Sequence, residues 1–336
     1  MYVRRHIRFR LLFEESWRFL LVVALWSALV VYIHDFLSFG LISIPIIPLS
    51  TIGIAVSLYL GFRSKESYER WWEGRKIWGD IISKSRSFSN QINTLIYDTN
   101  GQSIDKDKKR TFIYRHLAWL YALKKQLHTT SRFKKNKKNR LFQHQMEINK
   151  EICNLKKYLT KEESESILTM SNPATQILIK QGEALKELVK DGYLDSARHT
   201  DISKTISFFY DTQGNCERIK NTPYPRPFAY MGQVFTSIFI LLLPLGFLDA
   251  FEDEGERYNV VLHDYYMFSI IPFTMLLSWI FFMMEKVSDS MEDPFEKAPN
   301  DLPINAMVRT IEIDLKETLG DKDIPSPIKP INDILH

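Results

Sequence analysis

ISIPIIPLSTIGIAVSLYLGFRSKESYERWW, residues 42–72, decides the fold. It begins as a proline-bearing apolar run and ends charged and tryptophan-rich, with no turn signal between. Gly53, Ser57 and Gly61 recur every fourth residue, and Ile54, Leu58 and Phe62 recur beside them at the same spacing. Residues four apart share a helix face, so a small-residue stripe lies next to a bulky apolar one. Small residues let helix backbones approach closely in lipid. The apolar stripe is placed to line whatever the packed helices surround. Pro45 and Pro48 stand near the start, where a missing amide costs least. The stretch reads as a membrane span over 41–62 and as a candidate pore wall. On pattern alone, the competing reading is that Ile54, Leu58 and Phe62 face lipid.

Three further runs are apolar enough to cross the bilayer, which takes about 20 helical residues. They are 17–36 (WRFLLVVALWSALVVYIHDF), 228–250 (FAYMGQVFTSIFILLLPLGFLDA) and 265–284 (YYMFSIIPFTMLLSWIFFMM). The first is too long for a signal-peptide core and is followed by no small-residue cleavage site. Flanking charge orients all four, because short Lys/Arg-rich segments stay cytoplasmic. Arg4, Arg5, Arg8 and Arg10 precede the first span, and Arg63, Lys65, Arg70, Arg75 and Lys76 follow the second. The loop between spans one and two has no Lys or Arg. The loop between spans three and four sets Asp249, Glu252, Asp253, Glu254, Glu256 and Asp264 against Arg257 alone. Both termini and the long middle region are therefore expected inside, in a multi-pass protein of the plasma (inner) membrane.

Residues 63–227 are helically patterned with almost no strand alternation. Helices are expected at 64–98, 106–127, 141–157, 161–192 (broken at Asn172-Pro173) and 198–220. The fold class is all-α: four transmembrane helices and a large cytoplasmic helical bundle. The divisions are 1–62, 63–227, 228–284 and 285–336, the last a helix with an extended, proline-bearing tail. The basic run RFKKNKKNR, 132–140, holds six Lys or Arg in nine positions. It reads as a solvated loop, with anionic lipid as an alternative partner. No interleaved aromatics support nucleic-acid stacking.

Lys plus Arg less Asp plus Glu is 44 − 40 = +4, too mild to imply a nucleic-acid partner. No phosphate-binding glycine loop, nucleophile elbow or paired-His metal motif is present, so no enzyme, cofactor or metal is expected. Cys153 and Cys216 read as reduced thiols, and His116, in YRHLAWL, as a packed or surface histidine. Glu66 and Glu69, interleaved with Arg63, Lys65 and Arg70, read as a helix-surface charge network. The spans carry no mid-membrane charge of the kind that pumps and proton relays use. A passive conduit needs none: apolar rings gate by dewetting. One helix cannot enclose a lumen, so a conduit implies an oligomer. The competing class is a membrane-anchored helical scaffold or sensor that recruits a soluble partner through its cytoplasmic bundle.

Three long stretches carry a family likeness: YERWWEGRKIWGDIISKSR (68–86), ERIKNTPYPRPFAY (217–230) and EDPFEKAPNDLPINAMVRTIEIDL (292–315). In this order, with four matching spans, they resemble the bestrophins, and most closely the bacterial branch. The resemblance covers roughly residues 5–318. It implies a homopentamer around one axis, with a hydrophobic neck and a helical cytoplasmic vestibule, that passively conducts small monovalent ions. Chloride is expected from the animal members, with cation permeation open in the bacterial branch. Counting back from the Arg-Trp-Trp run, the neck falls on Ile54, Leu58 and Phe62. Gly53, Ser57 and Gly61 would set the approach of neighbouring subunits' helices, and Arg70, Trp71, Trp72, Arg75 and Trp78 would brace the cytoplasmic mouth. A second, cytoplasmic constriction is expected near His199 to Ile202, at Ile202. Animal members hold calcium after their Pro-Phe pair. Here Glu296 replaces the usual glycine, and Lys297, Ala298 and Pro299 dilute the oxygen ligands that calcium needs. No calcium gating is expected. The partners implied are further copies of the chain, permeating ions and the bilayer.

Overall fold

A computed structural model describes residues 1–4, 6, 9–37, 43–128, 155, 157–257, 266–296, 300–331 and 333–335. The basic run 132–140, Cys153 and nearly all of the expected 141–157 helix lie outside these. Among the described residues the long elements are all helices: α1 (Phe9–Leu37), α2 (Ile46–Thr94), α3 (Lys106–His128), α4 (Lys161–Leu168), α5 (Pro173–Lys190), α6 (Ser196–Asn221), α7 (Arg226–Arg257), α8 (Ile270–Glu292) and α9 (Ile304–Leu319).

The expected helices at 41–62 and 64–98 are one element. α2 runs 49 residues without interruption, because nothing after Pro48 breaks the backbone ladder. The expected break at Asn172-Pro173 separates α4 from α5. Asn172 caps α5 by accepting from the Thr175 amide, and Pro173 opens the helix where its missing N–H is harmless.

The chain divides into two compact units. One comprises residues 4–69 and 224–292. Its four long helices carry stretches long and apolar enough to cross a membrane: Leu12–Asp35, the start of α2, Arg226–Asp253 and Ile270–Glu292. Leu49, Val56 and Leu60 of α2 are buried with Phe239 and Leu243 of α7 and Phe281 of α8. Val30 and Val31 of α1 pack with Leu248, Met267 and Ile270. At Gly246 an added Cβ would come within 2.1 Å of the end of the buried Leu49 side chain, which would have to shift. Phe19 stacks on Phe282 at 4.3 Å between α1 and α8.

The other unit comprises residues 1–3, 70–223 and 293–336. Trp78, Ile81, Phe88 and Ile92 of α2 are buried with Leu117, Trp119 and Leu120 of α3, Ile177 and Leu185 of α5, Phe209 of α6, and Val308 and Ile311 of α9. Beyond α9, ended by Gly320 at φ 68°, the tail lies extended against its own chain. Asp321 accepts from Arg110 and from Tyr114 (2.7 Å), and the Asp323 carbonyl accepts from Lys316 at 2.8 Å. The Val3 amide then donates to Asp333 and the Leu335 amide to Met1, at 2.9 and 2.8 Å, tying the two ends together.

His116 sits inside this core, its Nε2 2.9 Å from the Ser85 hydroxyl and its ring 4.5 Å from Phe209. Burial lowers its pKa from 6.5 to about 3, so the folded ring stays neutral. A depressed folded value gives stability that is complete above pH 6.5 and is lost as pH falls toward 3. The slope is about 1.4 kcal/mol per pH unit. The denaturation midpoint of the detergent-purified protein should therefore fall between pH 7 and pH 5. In His116→Gln this part of the slope should be absent.

Candidate functional site

Ile54, Leu58 and Phe62 are 70%, 59% and 56% exposed. They occupy the face of α2 opposite Val56 and Leu60, which its own unit buries. The stripe is left over after the chain has packed. Exposure does not by itself separate a lumen wall from a lipid face, since Leu25 on α1 is 64% exposed. What singles out the stripe is the construction behind it.

The small-residue stripe is divided. Gly53 is buried, and a Cβ there would come within 2.9 Å of the Phe239 ring, so its close approach is to α7 of the same chain. The Ser57 hydroxyl donates to the Gly53 carbonyl one turn back, at 2.7 Å. Gly61 is exposed, with open space where its Cβ would stand.

Behind Leu58 and Phe62, residues 59–66 are bolted to α8 and to the start of α7. The Tyr59 hydroxyl donates to the Phe228 carbonyl at 2.7 Å. Arg63, wholly buried, donates through Nε and Nη2 to Glu292 Oε1 at 2.9 and 2.5 Å. The Ser64 and Ser288 hydroxyls lie 2.5 Å apart, and Tyr224 donates to Glu66 at 2.9 Å. The expected surface charge network thus fails at Arg63, which is interior. Its position four residues after Tyr59 was the available signal. Nothing local indicated that its partner would lie 229 residues away.

In the other unit, the three stretches that carried the family likeness meet. Arg70 donates to the Ile219 and Thr222 carbonyls, and Arg218 pairs with Glu73 at 2.5 Å. The Trp71 indole donates to the Asn300 carbonyl at 3.1 Å. Gly74 lets Leu302 and Phe295 approach to 3.0 and 3.1 Å of where its Cβ would be. Trp72 is exposed beside Trp71, Arg75 is half-buried, and Trp78 is entirely core.

Ile202, expected at a second constriction, is buried within its own chain. Its side chain is 0% exposed in the core of its own unit, because α6 turns this face toward the bundle. The exposed neighbours are Asp201 and Lys204, paired at 3.7 Å.

A model of the bacterial and fungal bestrophins matches residues 12–317. The chain belongs to the bestrophin family. A voltage-dependent anion channel-forming protein, YneE of Escherichia coli K12, is 27% identical over 311 residues, spanning 93% of this chain and 89% of that one. A protein of the same description from Mesorhizobium japonicum is 26% identical over 300 residues, covering 89% and 83%. A crystal structure of a bacterial bestrophin homologue from Klebsiella pneumoniae superposes with a TM-score of 0.75 at 25% identity, over 90% of this chain and 97% of that one.

The run after Pro294 forms a tight turn. Phe295 adopts a left-handed backbone, φ 85°, with its side chain fully buried. Asp301 holds that turn by accepting from the Phe295 and Leu302 amides at 2.8 and 2.7 Å. Glu296, in place of the expected glycine, is paired with the nearly buried Lys220 ammonium at 3.5 Å. Burial pushes the Lys220 pKa down, while Glu296, Asp293 and Asp301 pull it up. A lysine of the second motif thus sets its positive charge among the acids of the third. Among the described residues, no three His, Cys, Asp or Glu side chains converge as metal ligands.

Gly74→Val would drive a branched side chain into Phe295 and Leu302. Overpacking of this kind costs about 1–3 kcal/mol. Denaturant titration of the purified protein should show a lowered midpoint, whereas Gly182→Ala, in open space on α5, should not.

Proposed function

We propose that the protein is an oligomeric bestrophin channel, a pentamer, that passively conducts small monovalent anions through a hydrophobic neck. The observation carrying this reading is the exposed Ile54–Leu58–Phe62 stripe. It lies on a helix that continues unbroken into the Arg70-Trp71-Trp72 motif and is anchored from behind by buried polar bonds. A helix of that construction presents an apolar wall that its own chain leaves uncovered. Copies arranged around an axis would stack three apolar rings, which pass ions when wetted and exclude them when dry. Gly61, open on the same helix, leaves room for a neighbouring α2. The relatives' description as anion channel-forming proteins supports the sign of the ion.

In this reading both termini and residues 63–227 lie in the cytoplasm, in a plasma-membrane protein. Flanking charge supports this, and so does the pairing of Val3 with Asp333 within the unit that holds 70–223. The sequence supplies no catalytic centre for a competing enzyme, and the scaffold alternative rests on the basic run outside the described residues. The acidic residues between spans three and four would concentrate cations at the outer mouth. Anion preference must therefore arise deeper in the pathway.

Reversal potentials of the reconstituted protein in asymmetric potassium chloride should lie toward the chloride equilibrium potential. A reversal near that of potassium would overturn the anion assignment, and liposomes without ion flux would overturn the channel. Leu58→Ala and Phe62→Ala should raise conductance or weaken gating. If both behave like the native channel, these residues are not the neck.

A further inference from the structure

α2 presents Leu58 and Phe62 on its uncovered face and Tyr59, Arg63 and Ser67 on the covered one. Arg63 is therefore one residue from the innermost of the three neck positions, on the other side of the helix. Its guanidinium is completely buried. Two nitrogens converge on one oxygen of Glu292, at 2.9 and 2.5 Å, while Nη1 lies 4.0 Å from Glu285 and makes no hydrogen bond. Gly232 of α7 completes the enclosure. A Cβ there would stand 3.3 Å from Nη1 and 3.2 Å from the Tyr59 ring. The guanidinium is thus gripped by α8 and roofed by a residue with no side chain.

The geometry points to Arg63 and Glu292 as positioning residues for the neck, their buried pair fixing the rotation of α2 that turns Phe62 to the lumen. This rests on the channel reading above. A charge without solvent cannot leave its partner cheaply, and residues 62 and 63 share a rigid helical turn. The 2.5 Å contact between Ser64 and Ser288, one residue further along, resists sliding of α2 against α8. Neither Arg63 nor Glu292 needs to touch a permeating ion. They act through Phe62.

The test uses the full-length protein reconstituted in planar bilayers, with the permeability of gluconate relative to chloride as the readout of neck width. Glu292→Gln keeps shape and removes charge. Arg63→Gln removes the other partner. Gly232→Ala keeps every charge and displaces the guanidinium by a few tenths of an ångström. Each should raise the gluconate-to-chloride ratio severalfold while the oligomer stays intact by size-exclusion chromatography. Arg63→Gln combined with Glu292→Gln should be no more altered than the worse single variant, since residues acting as one pair are not additive. Native-like ratios in the variants that assemble would overturn the proposal, as would additive effects in the double variant. If the charge variants do not assemble, Gly232→Ala alone decides. Phe62→Ala separates the two readings. If it changes the ratio and the Arg63, Glu292 and Gly232 variants do not, the neck stands and the positioning role falls. If Phe62→Ala has no effect, the neck reading itself is wrong.

Discussion

Arg63 places a positive charge where no water reaches it, and the arrangement of the first unit follows from satisfying that charge. Isolated buried ions cost several kcal/mol, so one that persists must be held by an opposite charge in good geometry. Glu292 supplies the charge from the last residue of α8, Glu285 adds a second carboxylate one face along, and Gly232 leaves the room. Three helices that are distant in sequence are thereby held at one level. Apolar packing between α2, α7 and α8 is compatible with small rotations, since dispersion contacts are non-directional. A bidentate donor on a single carboxylate oxygen is not. The ion pair therefore turns a loosely specified apolar contact into a fixed helix rotation, and with it fixes which residues α2 leaves uncovered.

The second unit fixes the other half of the same helix by different means. Arg70 is tied to two backbone carbonyls at the end of α6, Trp71 to a carbonyl before α9, and Gly74 admits Phe295 and Leu302 against the helix surface. These contacts use backbone acceptors and a missing side chain, so they constrain residue identity tightly. Glycine at 74 and arginine at 70 have no isosteric substitutes here. Glu296 and Lys220 show the complementary case, in which a largely buried carboxylate is matched by an ammonium placed to receive it.

Much of this was legible in the sequence, for identifiable reasons. The four apolar runs, the proline positions and the uninterrupted helical spacing of 46–94 report local physics, and local physics is what sequence periodicity records. The uncovered Ile54–Leu58–Phe62 face was visible for the same reason. The burial of Gly53 and Ile202 within their own chain was not. Gly53 was expected to face a neighbouring subunit, and it faces Phe239 of its own chain because a ring from α7 fills the space. Ile202 was assigned by family likeness at a point where no motif fixes the helical phase, and α6 turns it inward. Arg63 was read as surface charge because its partner is 229 residues distant. Long-range pairing leaves no trace in local spacing.

The central claim is that the uncovered face of α2 borders water and ions rather than lipid. It is tested most directly by placing cysteine at Leu58, and separately at Leu25 of α1, in a background freed of Cys153 and Cys216. A small, charged, membrane-impermeant thiol reagent is then applied while current is recorded. Leu58→Cys should be modified and its current altered within the recording, while Leu25→Cys, equally exposed and on this account turned to lipid, should be unaffected. If Leu58→Cys is inert and Leu25→Cys reacts, or if neither reacts, α2 does not line the conduction pathway.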